Sequence, residues 1–449
     1  MKFIDRVKSG LVIFDGGFGT MIQPHMQLGE LPELLNLRLP EVVQSVHAAY
    51  YAAGSDIVET NTLNANRRKI EKTGHTVAEV VTAAVGNARR AADACGREAY
   101  VALSMGSTGV MLEPLGDMSF DEACDIYAEM AAAGEKAGAD LALIETVSDL
   151  HEIKAAIVGA RRATSLPIAV TVTFMENGRL LTGADVRTTV VTLEALGADI
   201  IGMNCGLGPK QMLALADRLC ACASVPVLIN PNAGLPRLED GKSVYTVGPE
   251  EFARDAAKLV EKGARLIGGC CGTTPAHIAA LRALVENMPV GKAGDKGICA
   301  ITSGSKCVEL NGADVEIADI TADDQDDMLD NAMDTDAEAV KLACGDLAEA
   351  ASYIQETMLK PMYLCGDDPD EVAAAARGYN GRPMIGVAKE NTLARFIEAA
   401  KQCGAVLTVA DENLAALAAE ELGEKNVLID LGDTLTRCGG STAATVTAE

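Results

Sequence analysis

Short apolar runs alternate with longer stretches rich in Ala, Leu and Glu from the start of the chain. Each run is followed by a glycine-rich or polar turn, and eight of them precede residue 290. They are "LVIFD" (11–15), "DIVET" (56–60), "YVALS" (100–104), "LALIE" (141–145), "IAVTVT" (168–173), "DIIGMN" (199–204), "PVLINP" (226–231) and "RLIGGC" (265–270). Near-continuous apolar strands between helices indicate a parallel sheet buried on both faces. Eight such units predict an α/β fold, a (β/α)8 TIM barrel over residues 1–288.

Residues 289–304, "PVGKAGDKGICAITSG", show no regular spacing of apolar residues and predict an interdomain linker. After them the alternation of apolar runs and helical stretches returns in a weaker form. Six apolar runs can be counted there: "CVEL" (307–310), "EAVKLAC" (338–344), "PMYLC" (361–365), "PMIGVA" (383–388), "AVLTVA" (405–410) and "NVLIDL" (426–431). The final "GGSTAATVTAE" predicts a frayed end. Residues 305–449 are therefore predicted to form a second, incomplete TIM-barrel-like α/β domain. Sequence leaves open whether this is an open sheet, a barrel completed by another chain or a barrel cut short.

Composition limits which kinds of partner and which cellular compartment are expected for this protein. The chain has 7 Phe, 8 Tyr and no Trp, so its core must be aliphatic. A formal charge of −26 argues against nucleic acid or an anionic membrane as the main partner, because like charges repel. No apolar run reaches the ~18 residues that span a bilayer. Thirteen cysteines are too few for a disulfide scaffold, and "MKFIDRVKSG" is too polar for a signal peptide, so a cytoplasmic location is expected.

Residues able to do chemistry end almost every strand of the predicted first barrel. They are Asp15, Glu59, Ser104, Glu145, Thr173, Asn204, Cys205, Asn230, Cys270 and Cys271. Because the active sites of such barrels lie at the carboxyl ends of the strands, these side chains predict a site assembled around that rim.

Three of these residues are cysteines. Cys270 and Cys271 are adjacent, so a disulfide between them would be strained, and metal binding or burial as small hydrophobes remains. Cys205 lies two strands away and can reach the same mouth. Three converging thiolates suit Zn²⁺, with substrate as the fourth ligand. A thiol substrate bound there would lose its proton near neutral pH.

Five motifs carry a resemblance to a known family. They are "FDGGFGTMIQ" (14–23), "ETNT" (59–62), "IETVSD" (144–149), "MNCG" (203–206) and "GGCCGTTPAHI" (268–278). In this order and spacing they resemble the homocysteine S-methyltransferase family, and within it the homocysteine module of cobalamin-dependent methionine synthases. The resemblance covers roughly residues 1–290 and implies that Cys205, Cys270 and Cys271 hold zinc.

The resemblance also implies how homocysteine is bound. Glu145 would bind the ammonium group, and the loop "SMGSTG" (104–109), with Ser104 and Ser107, would offer donors to the carboxylate. Asp15 would line the same pocket. Rim acids such as Glu145 and Asp15 can instead cap a helix or form an ion pair. The amides of Asn204, Asn230 and Asn232 either support the pocket or only organise loops.

Residues from about 305 to 432 resemble, more weakly, the pterin-binding barrels of methionine synthases and corrinoid-linked methyltransferases. The carboxylate and amides that a pterin needs are largely missing, since "VKLACG" and "YLCGDD" stand where that family has acids and amides. We expect a domain that has lost folate binding and serves in docking or scaffolding. Asp367, Asp368 and Asp430 are the remaining candidate contacts, with turn formation as the alternative.

These features predict zinc-dependent methyl transfer to homocysteine, giving methionine. No Asp-x-His-x-x-Gly corrinoid signature is present, so methylcobalamin would be supplied in trans by a corrinoid protein. The alternatives are methyltetrahydrofolate acting through cobalamin and a small sulfonium or betaine donor, for which aromatic cages are scarce. A non-catalytic scaffold that binds zinc or homocysteine is an alternative of another class. Oligomeric state, including a homo-oligomer, stays open.

Overall fold

The computed structural model describes residues 1–27, 29–239, 242–289, 298–312, 314–320, 325–438 and 440–448, with backbone alone at 238, 239, 242, 243 and 448. The chain divides into two compact units. Unit 1 comprises Met1–Met111, Met118–Leu181 and Ala198–Asp295, and unit 2 comprises Leu112–Asp117, Thr182–Gly197 and Lys296–Glu449. The predicted linker lies partly outside the described residues, at 290–297.

The strands of unit 1 coincide with the eight predicted runs, and a hairpin follows the seventh. They are β1 Val12–Ile13, β2 Ile57–Glu59, β3 Tyr100–Met105, β4 Leu141–Val147, β5 Ile168–Val172, β6 Ile200–Asn204, β7 Val227–Asn230, the antiparallel hairpin β8 Arg237–Glu239 and β9 Lys242–Val244, and β10 Leu266–Ile267. Apart from the hairpin, they form one parallel sheet in the order β1-β10-β7-β6-β5-β4-β3-β2. The prediction of an eight-stranded parallel barrel is confirmed.

Helices connect these strands. They are α1 Phe3–Ser9, α2 Phe18–Ile22, α3 Leu35–Arg38, α4 Pro40–Ala52, α5 Arg67–Ile70, α6 Val77–Ala94, α7 Phe120–Ala137, α8 Leu150–Ala163, α9 Val186–Ala195, α10 Pro209–Cys222, α11 Pro249–Glu261 and α12 Pro275–Val285, with α9 in unit 2. Local signals set their ends. Thr76 and Glu79 form a capping box at the start of α6, and Gly138 ends α7 in the left-handed conformation.

The interior of the first barrel is aliphatic at its amino end. Phe3 and Val7 of α1 belong to the same buried cluster as Val12, Leu141 and Leu228 from the strands. Helix α1 thus closes the amino end of the barrel with apolar side chains. Polar side chains collect at the opposite end, as the strand endings predict.

Asp56 joins the two strands at the seam of the ring, β1 and β2. Its backbone N–H donates to the Ile13 carbonyl at 2.7 Å, and its Oδ2 accepts the Ile13 N–H at 2.9 Å. Arg6, Arg97 and Arg282 all approach the same carboxylate, at 3.1, 3.7 and 3.0 Å. A nearly buried acid therefore supplies the ladder contacts that β1 and β2 lack.

Unit 2 contains a second ring of strands. Its elements are β11 Ala300–Thr302, β12 Cys307–Glu309, β13 Glu316–Ile320, α13 Gln325–Asp334, β14 Ala339–Leu342, α14 Leu347–Thr357, β15 Met362–Cys365, α15 Pro369–Gly378, β16 Met384–Ala388, α16 Leu393–Cys403, β17 Val406–Val409, α17 Glu412–Leu422, β18 Val427–Asp430, β19 Thr434–Thr436 and β20 Thr442–Ala448. Strands β13 to β20 form a closed barrel in sequence order, and β11 and β12 form a separate antiparallel hairpin.

The expectation that this second barrel is incomplete is wrong. Five of its eight strands were predicted; "CVEL" belongs to the hairpin, and β13, β19 and β20 were missed. The supposedly frayed end holds β20, which pairs with β13 in parallel and with β19 antiparallel. Its Thr and Ala side chains give no strong apolar pattern, so its hydrogen-bonding partners rather than local hydrophobicity define the strand.

Two further findings concern the whole described chain. All thirteen cysteines have free thiols. Among the residues that the structure describes, no helix is both long and apolar enough to cross a membrane.

We expect Asp56→Ala to lower the free energy of unfolding by about 2–4 kcal/mol, because it leaves three arginines and a backbone N–H without their shared acceptor. Thermal and urea unfolding would measure the loss. Asp217→Ala is the matched control, since its ion pair with Lys262 is exposed and contributes about 0–1 kcal/mol. Equal effects of the two changes would contradict the role assigned to Asp56.

Candidate active site and metal centre

The structure brings the three predicted cysteines together at the carboxyl ends of the first barrel's strands. Their sulfur atoms all lie within 4.8 Å of one another, and Cys205 Sγ is 3.8 Å from Cys271 Sγ. Each side chain is half-buried. No other cluster of three His, Cys, Asp or Glu side chains among the described residues has metal-ligand spacing.

Backbone geometry holds the thiols in place. Cys205 has a φ of 58°, in the left-handed region that non-glycine residues rarely occupy, and its N–H donates to the Asn230 carbonyl. The Cys270 N–H donates to the Pro231 carbonyl, and the Cys271 carbonyl accepts the Ala233 N–H. The end of β7 and the loop after it thus hold in place the loop with Cys205 and the loop with Cys270 and Cys271.

The thiols compete for protons. Hydrogen bonds from Cys205 and Cys270 lower the pKa of Cys271 to about 3, whereas Cys205 and Cys271 raise the pKa of Cys270 well above its usual range. One thiolate is therefore stabilised by the two remaining thiols. A bound cation would favour ionisation of all three.

Glu145 lies beside the sulfur cluster. Ser104 Oγ donates to its Oε1 at 2.5 Å, and Asn204 Nδ2 donates to its Oε2 at 3.1 Å. The same Asn204 amide lies 3.9 Å from Cys270 Sγ. Asn204 therefore links the carboxyl group to the thiols, and Ser104 orients that carboxyl group rather than facing open space. Burial raises the pKa of Glu145 to about 7.

Two further acids lie at the mouth. Asp15 Oδ2 accepts the Glu59 N–H at 3.0 Å across the β1–β2 seam, and Asn230 Nδ2 donates to Glu59 Oε1 at 3.1 Å. Burial, together with the charge of Glu145, raises the pKa of both Asp15 and Glu59 well above the ordinary values. Glu59 is one of the rim residues predicted from the strand endings, although the sequence assigned it no individual role in binding.

The loop after β3 is organised by an acid that the sequence did not reveal. Glu152 of α8 accepts hydrogen bonds from Ser107 Oγ at 2.7 Å, from the Thr108 N–H at 2.7 Å and from Tyr127 OH at 3.1 Å. Ser107 is thus engaged by the protein itself. Only the position of Glu152, two residues after a helix start, would have suggested this.

Asn232 and Tyr245 complete the surroundings. Asn232 is buried, its backbone N–H donates to the Leu207 carbonyl, and its Oδ1 has no hydrogen-bond partner among the described residues. Tyr245 packs directly on Gly272, where a Cβ atom would lie 2.3 Å from its ring. The Tyr245 hydroxyl also lowers the pKa of Cys271. Tyr245 directly follows the hairpin strand β9, which the sequence pattern did not predict, so no predicted strand ending points to this residue.

The donor set fits a tetrahedral metal ion. Ligands at the Zn–S distance of about 2.3 Å from a tetrahedral zinc ion lie about 3.8 Å apart, which matches the separation of Cys205 Sγ and Cys271 Sγ. The three thiols could therefore hold a soft divalent ion and leave one position open.

Comparison with known proteins agrees with this geometry. The family model for homocysteine S-methyltransferase matches residues 12–285. The methionine synthase of Mycobacterium tuberculosis is 36% identical over 303 residues, which are 64% of this chain and 25% of that protein. That of Mycobacterium leprae is 35% identical over 300 residues, 63% of this chain and 25% of that protein. The chain thus spans 25% of the length of these curated relatives.

Solved structures share the fold. The metallated form of the homocysteine methyltransferase MmuM from Escherichia coli has a TM-score of 0.53 at 24% identity, covering 61% of this chain and 96% of that one. Its oxidized form has a TM-score of 0.53 at 23% identity, covering 63% and 98%.

The parallel barrel, with thiols and carboxyl groups at the carboxyl ends of its strands, defines a barrel enzyme with a candidate thiolate metal centre. More particularly, the chain belongs to the homocysteine S-methyltransferase family, because the family model matches residues 12–285, more than half of its length.

The pKa of Glu145 predicts a pH-dependent stability. A carboxyl group whose pKa rises on folding, here from 4.5 to about 7, costs stability as the pH rises between those values, because the folded chain holds the proton longer. In the reduced chain stripped of metal, Glu145→Gln should be more stable than the parent at pH 8, by about 3 kcal/mol, with no gain near pH 4.

Urea unfolding across this pH range would measure the difference. Glu122→Gln is the control, because Glu122 is half-buried at the surface, where it pairs with Arg68. A stability gain for Glu145→Gln that does not change with pH would contradict the raised pKa.

Proposed function

We propose that this protein transfers a methyl group to the sulfur of homocysteine, giving methionine, with Zn²⁺ held by Cys205, Cys270 and Cys271. The observation that carries the proposal is the convergence of three thiols within 4.8 Å, beside Glu145, in a member of this family. A non-catalytic scaffold has no need for such an open thiolate site.

The metal would supply one property. Held by Cys205, Cys270 and Cys271, Zn²⁺ would leave one position for the substrate thiol and would lower the pKa of that thiol, which favours the nucleophilic thiolate near neutral pH. The Asn204 amide lies between Cys270 and Glu145. We infer that this amide keeps the sulfur-binding and ammonium-binding parts of the pocket at a fixed distance.

Glu145 is the proposed partner of the homocysteine ammonium group. Burial raises the pKa of this carboxyl group and of Asp15 and Glu59, and the charge of Glu145 further raises the pKa values of Asp15 and Glu59. A bound ammonium group would offset this crowding. Asn230 and Asn232 support the pocket, while Ser104 fixes Glu145 and Ser107 fixes the loop 104–109 through Glu152.

The chemical step is a displacement in line with the breaking bond. The homocysteine sulfur attacks the methyl carbon, the bond from carbon to its carrier breaks, and the carrier keeps the electron pair. We propose methylcobalamin on a corrinoid partner as that carrier, which leaves as cob(I)alamin. With 7 Phe, 8 Tyr and no Trp, the chain has few aromatic side chains to build the cage that binds a sulfonium or betaine donor, which favours the corrinoid.

We expect the reduced protein, purified without chelators, to contain one Zn²⁺ per chain and to form methionine from homocysteine with free methylcobalamin. Cys271→Ala should lose the zinc and at least about 99% of turnover, because two thiolates cannot hold the ion tightly. Metal analysis and methionine quantification would measure both. Cys222→Ala, on α10 outside the cluster, is the matched control.

The donor arms separate the alternatives. Methyltetrahydrofolate and a sulfonium donor are tested beside methylcobalamin. If the protein contains zinc but turns over only with another donor, that donor takes the place of methylcobalamin in the proposal. Zinc and homocysteine binding without turnover from any donor, even with a corrinoid protein added, would favour the scaffold. A protein without zinc would refute the proposed centre.

Glu145→Gln should raise the KM for homocysteine by about 10- to 100-fold while zinc content stays at parent level, because the variant loses the charge that binds the ammonium group. Steady-state kinetics at saturating donor would measure this. Glu122→Gln should leave KM unchanged. A normal KM for Glu145→Gln would place ammonium recognition elsewhere.

A further inference from the structure

Three aspartates and one arginine stand at equivalent places in the first barrel, each just before a strand. The strands are β2, β4, β6 and β10, and they begin in "SDI" (55–57), "ADL" (139–141), "ADI" (198–200) and "ARL" (264–266). The middle residue is Asp56, Asp140 or Asp199 in the first three segments and Arg265 in the fourth. One side chain can therefore be compared across four copies of the same joint between strands.

In the first three segments, the aspartate joins its own strand to the preceding one. The Asp140 N–H donates to the Val101 carbonyl at 2.8 Å, and Asp140 Oδ2 accepts the Val101 N–H at 2.8 Å. Asp199 forms the same two bonds with Ile168, at 2.9 and 2.8 Å, as Asp56 does with β1. Each carboxylate also pairs with at least one arginine. These three joints thus place a carboxylate between a strand N–H and a guanidinium.

The fourth joint keeps the backbone bond but lacks the carboxylate. The Arg265 N–H donates to the Val227 carbonyl at 2.9 Å, so Val227 stands in the place of the residue that each aspartate binds. A guanidinium has no acceptor, so Arg265 cannot receive the Val227 N–H as an aspartate would. Its Nε and Nη2 donate instead to the carbonyls of Val7 and Lys8 at the end of α1, at 2.8 and 2.6 Å. These bonds leave Nη1 unused among the described residues.

A cavity of about 420 Å³ opens at this joint, within the range of roughly 300–1,000 Å³ that is usual for small-molecule sites. Val227 and Arg265 line it together with Lys8, Lys262 and one exposed acid, Glu261. Burial and the charge of a neighbouring arginine lower the pKa of Arg265, and no acid among the described residues offsets them. The cavity thus has an excess of positive charge at the place where the aspartate is missing.

The rest of the cavity wall is mostly apolar. Val7, Val225 and Pro226 contribute to it, and Cys220 lies among them. Burial raises the pKa of Cys220 to about 12, so its thiol stays neutral at physiological pH. A ligand that fits this cavity therefore needs a negative group at one end and an apolar body.

We propose that this cavity binds a small organic carboxylate with an apolar tail, and that the ligand carboxylate takes the place of the missing aspartate. The carboxylate accepts hydrogen bonds from the Val227 N–H and from Arg265 Nη1, and the tail lies against Val225 and Pro226. The site is at the amino ends of the strands, opposite the thiol cluster, and it does not depend on the function proposed for that cluster.

The three complete joints identify the anion. Each of them binds a carboxylate through a strand N–H and a guanidinium, and a ligand carboxylate has the same flat shape and charge. Two acids near the cavity act against an anion, but Glu261 is exposed and Asp217 already pairs with Lys262 at the surface. The net charge of −26 disfavours non-specific binding of anions, so a bound carboxylate would indicate a specific site.

The test uses hexanoate as the probe, with the full chain, in saturation-transfer NMR titrations. The parent should bind hexanoate about tenfold or more tightly than hexanamide, which has the same tail but no charge. Arg265→Asp rebuilds the aspartate of the other three joints, so it should weaken hexanoate binding about tenfold or more by filling the place and reversing the charge. Arg254→Asp makes the same change of charge at an exposed position of α11 and should bind hexanoate like the parent.

Circular dichroism melting checks that each variant is folded, and Arg265→Met replaces Arg265→Asp if the latter is not. Saturating hexanoate should also raise the melting temperature of the parent, because the ligand binds only the folded chain. Absence of transfer to hexanoate in the parent would overturn the proposal. So would equal binding of hexanoate and hexanamide, a comparison that needs no variant, or hexanoate binding that survives in the folded Arg265 variant. In each of these cases Arg265 serves only to close the end of α1.

Discussion

The eight parallel strands of the first barrel form one sheet whose two end strands, β1 and β2, must be joined, because an unpaired edge strand exposes backbone N–H and C=O groups. The weakest joint is between β1 and β2, where Asp56 replaces ladder contacts with its own backbone and carboxylate. The same seam carries Asp15 and Glu59 at its upper end, and β10, which leads to Cys270, pairs with β1. The candidate site can therefore converge only if the seam holds.

The strands of the first barrel and its three cysteines could be predicted from sequence because both depend on local pattern. A buried parallel strand is a short apolar run, and the residue at its end must lie on the rim. Glu152 and Tyr245 could not be found in this way, since each reaches the site from a helix or a loop through contacts that no period encodes. In the second barrel, β13 and β20 were missed because alternating acids and small Thr and Ala residues hide the strand pattern, while pairing between them defines both.

The first barrel concentrates negative charge where water is scarce. Three carboxyl groups and three thiols share one mouth. Burial raises the pKa values of the carboxyl groups, the neighbouring thiols raise that of Cys270, and of these groups Cys271 alone has a lowered pKa. Ionising these groups is unfavourable without a positive partner, and a bound cation, either a metal ion or an ammonium group, would supply one. The hydrogen bonds of Asn204 and Ser104 fix the position of the Glu145 carboxyl group relative to the thiols.

The pairing of β13 with β20 also bears on how the protein is made. Glu316 pairs with Thr445, roughly 130 residues later, so the ring of unit 2 can close only after nearly all of that unit has left the ribosome. Until then β13 presents an open edge, while the strands of unit 1, synthesised earlier, can already pair. During synthesis the nascent second barrel is thus the part of the chain most in need of protection by chaperones.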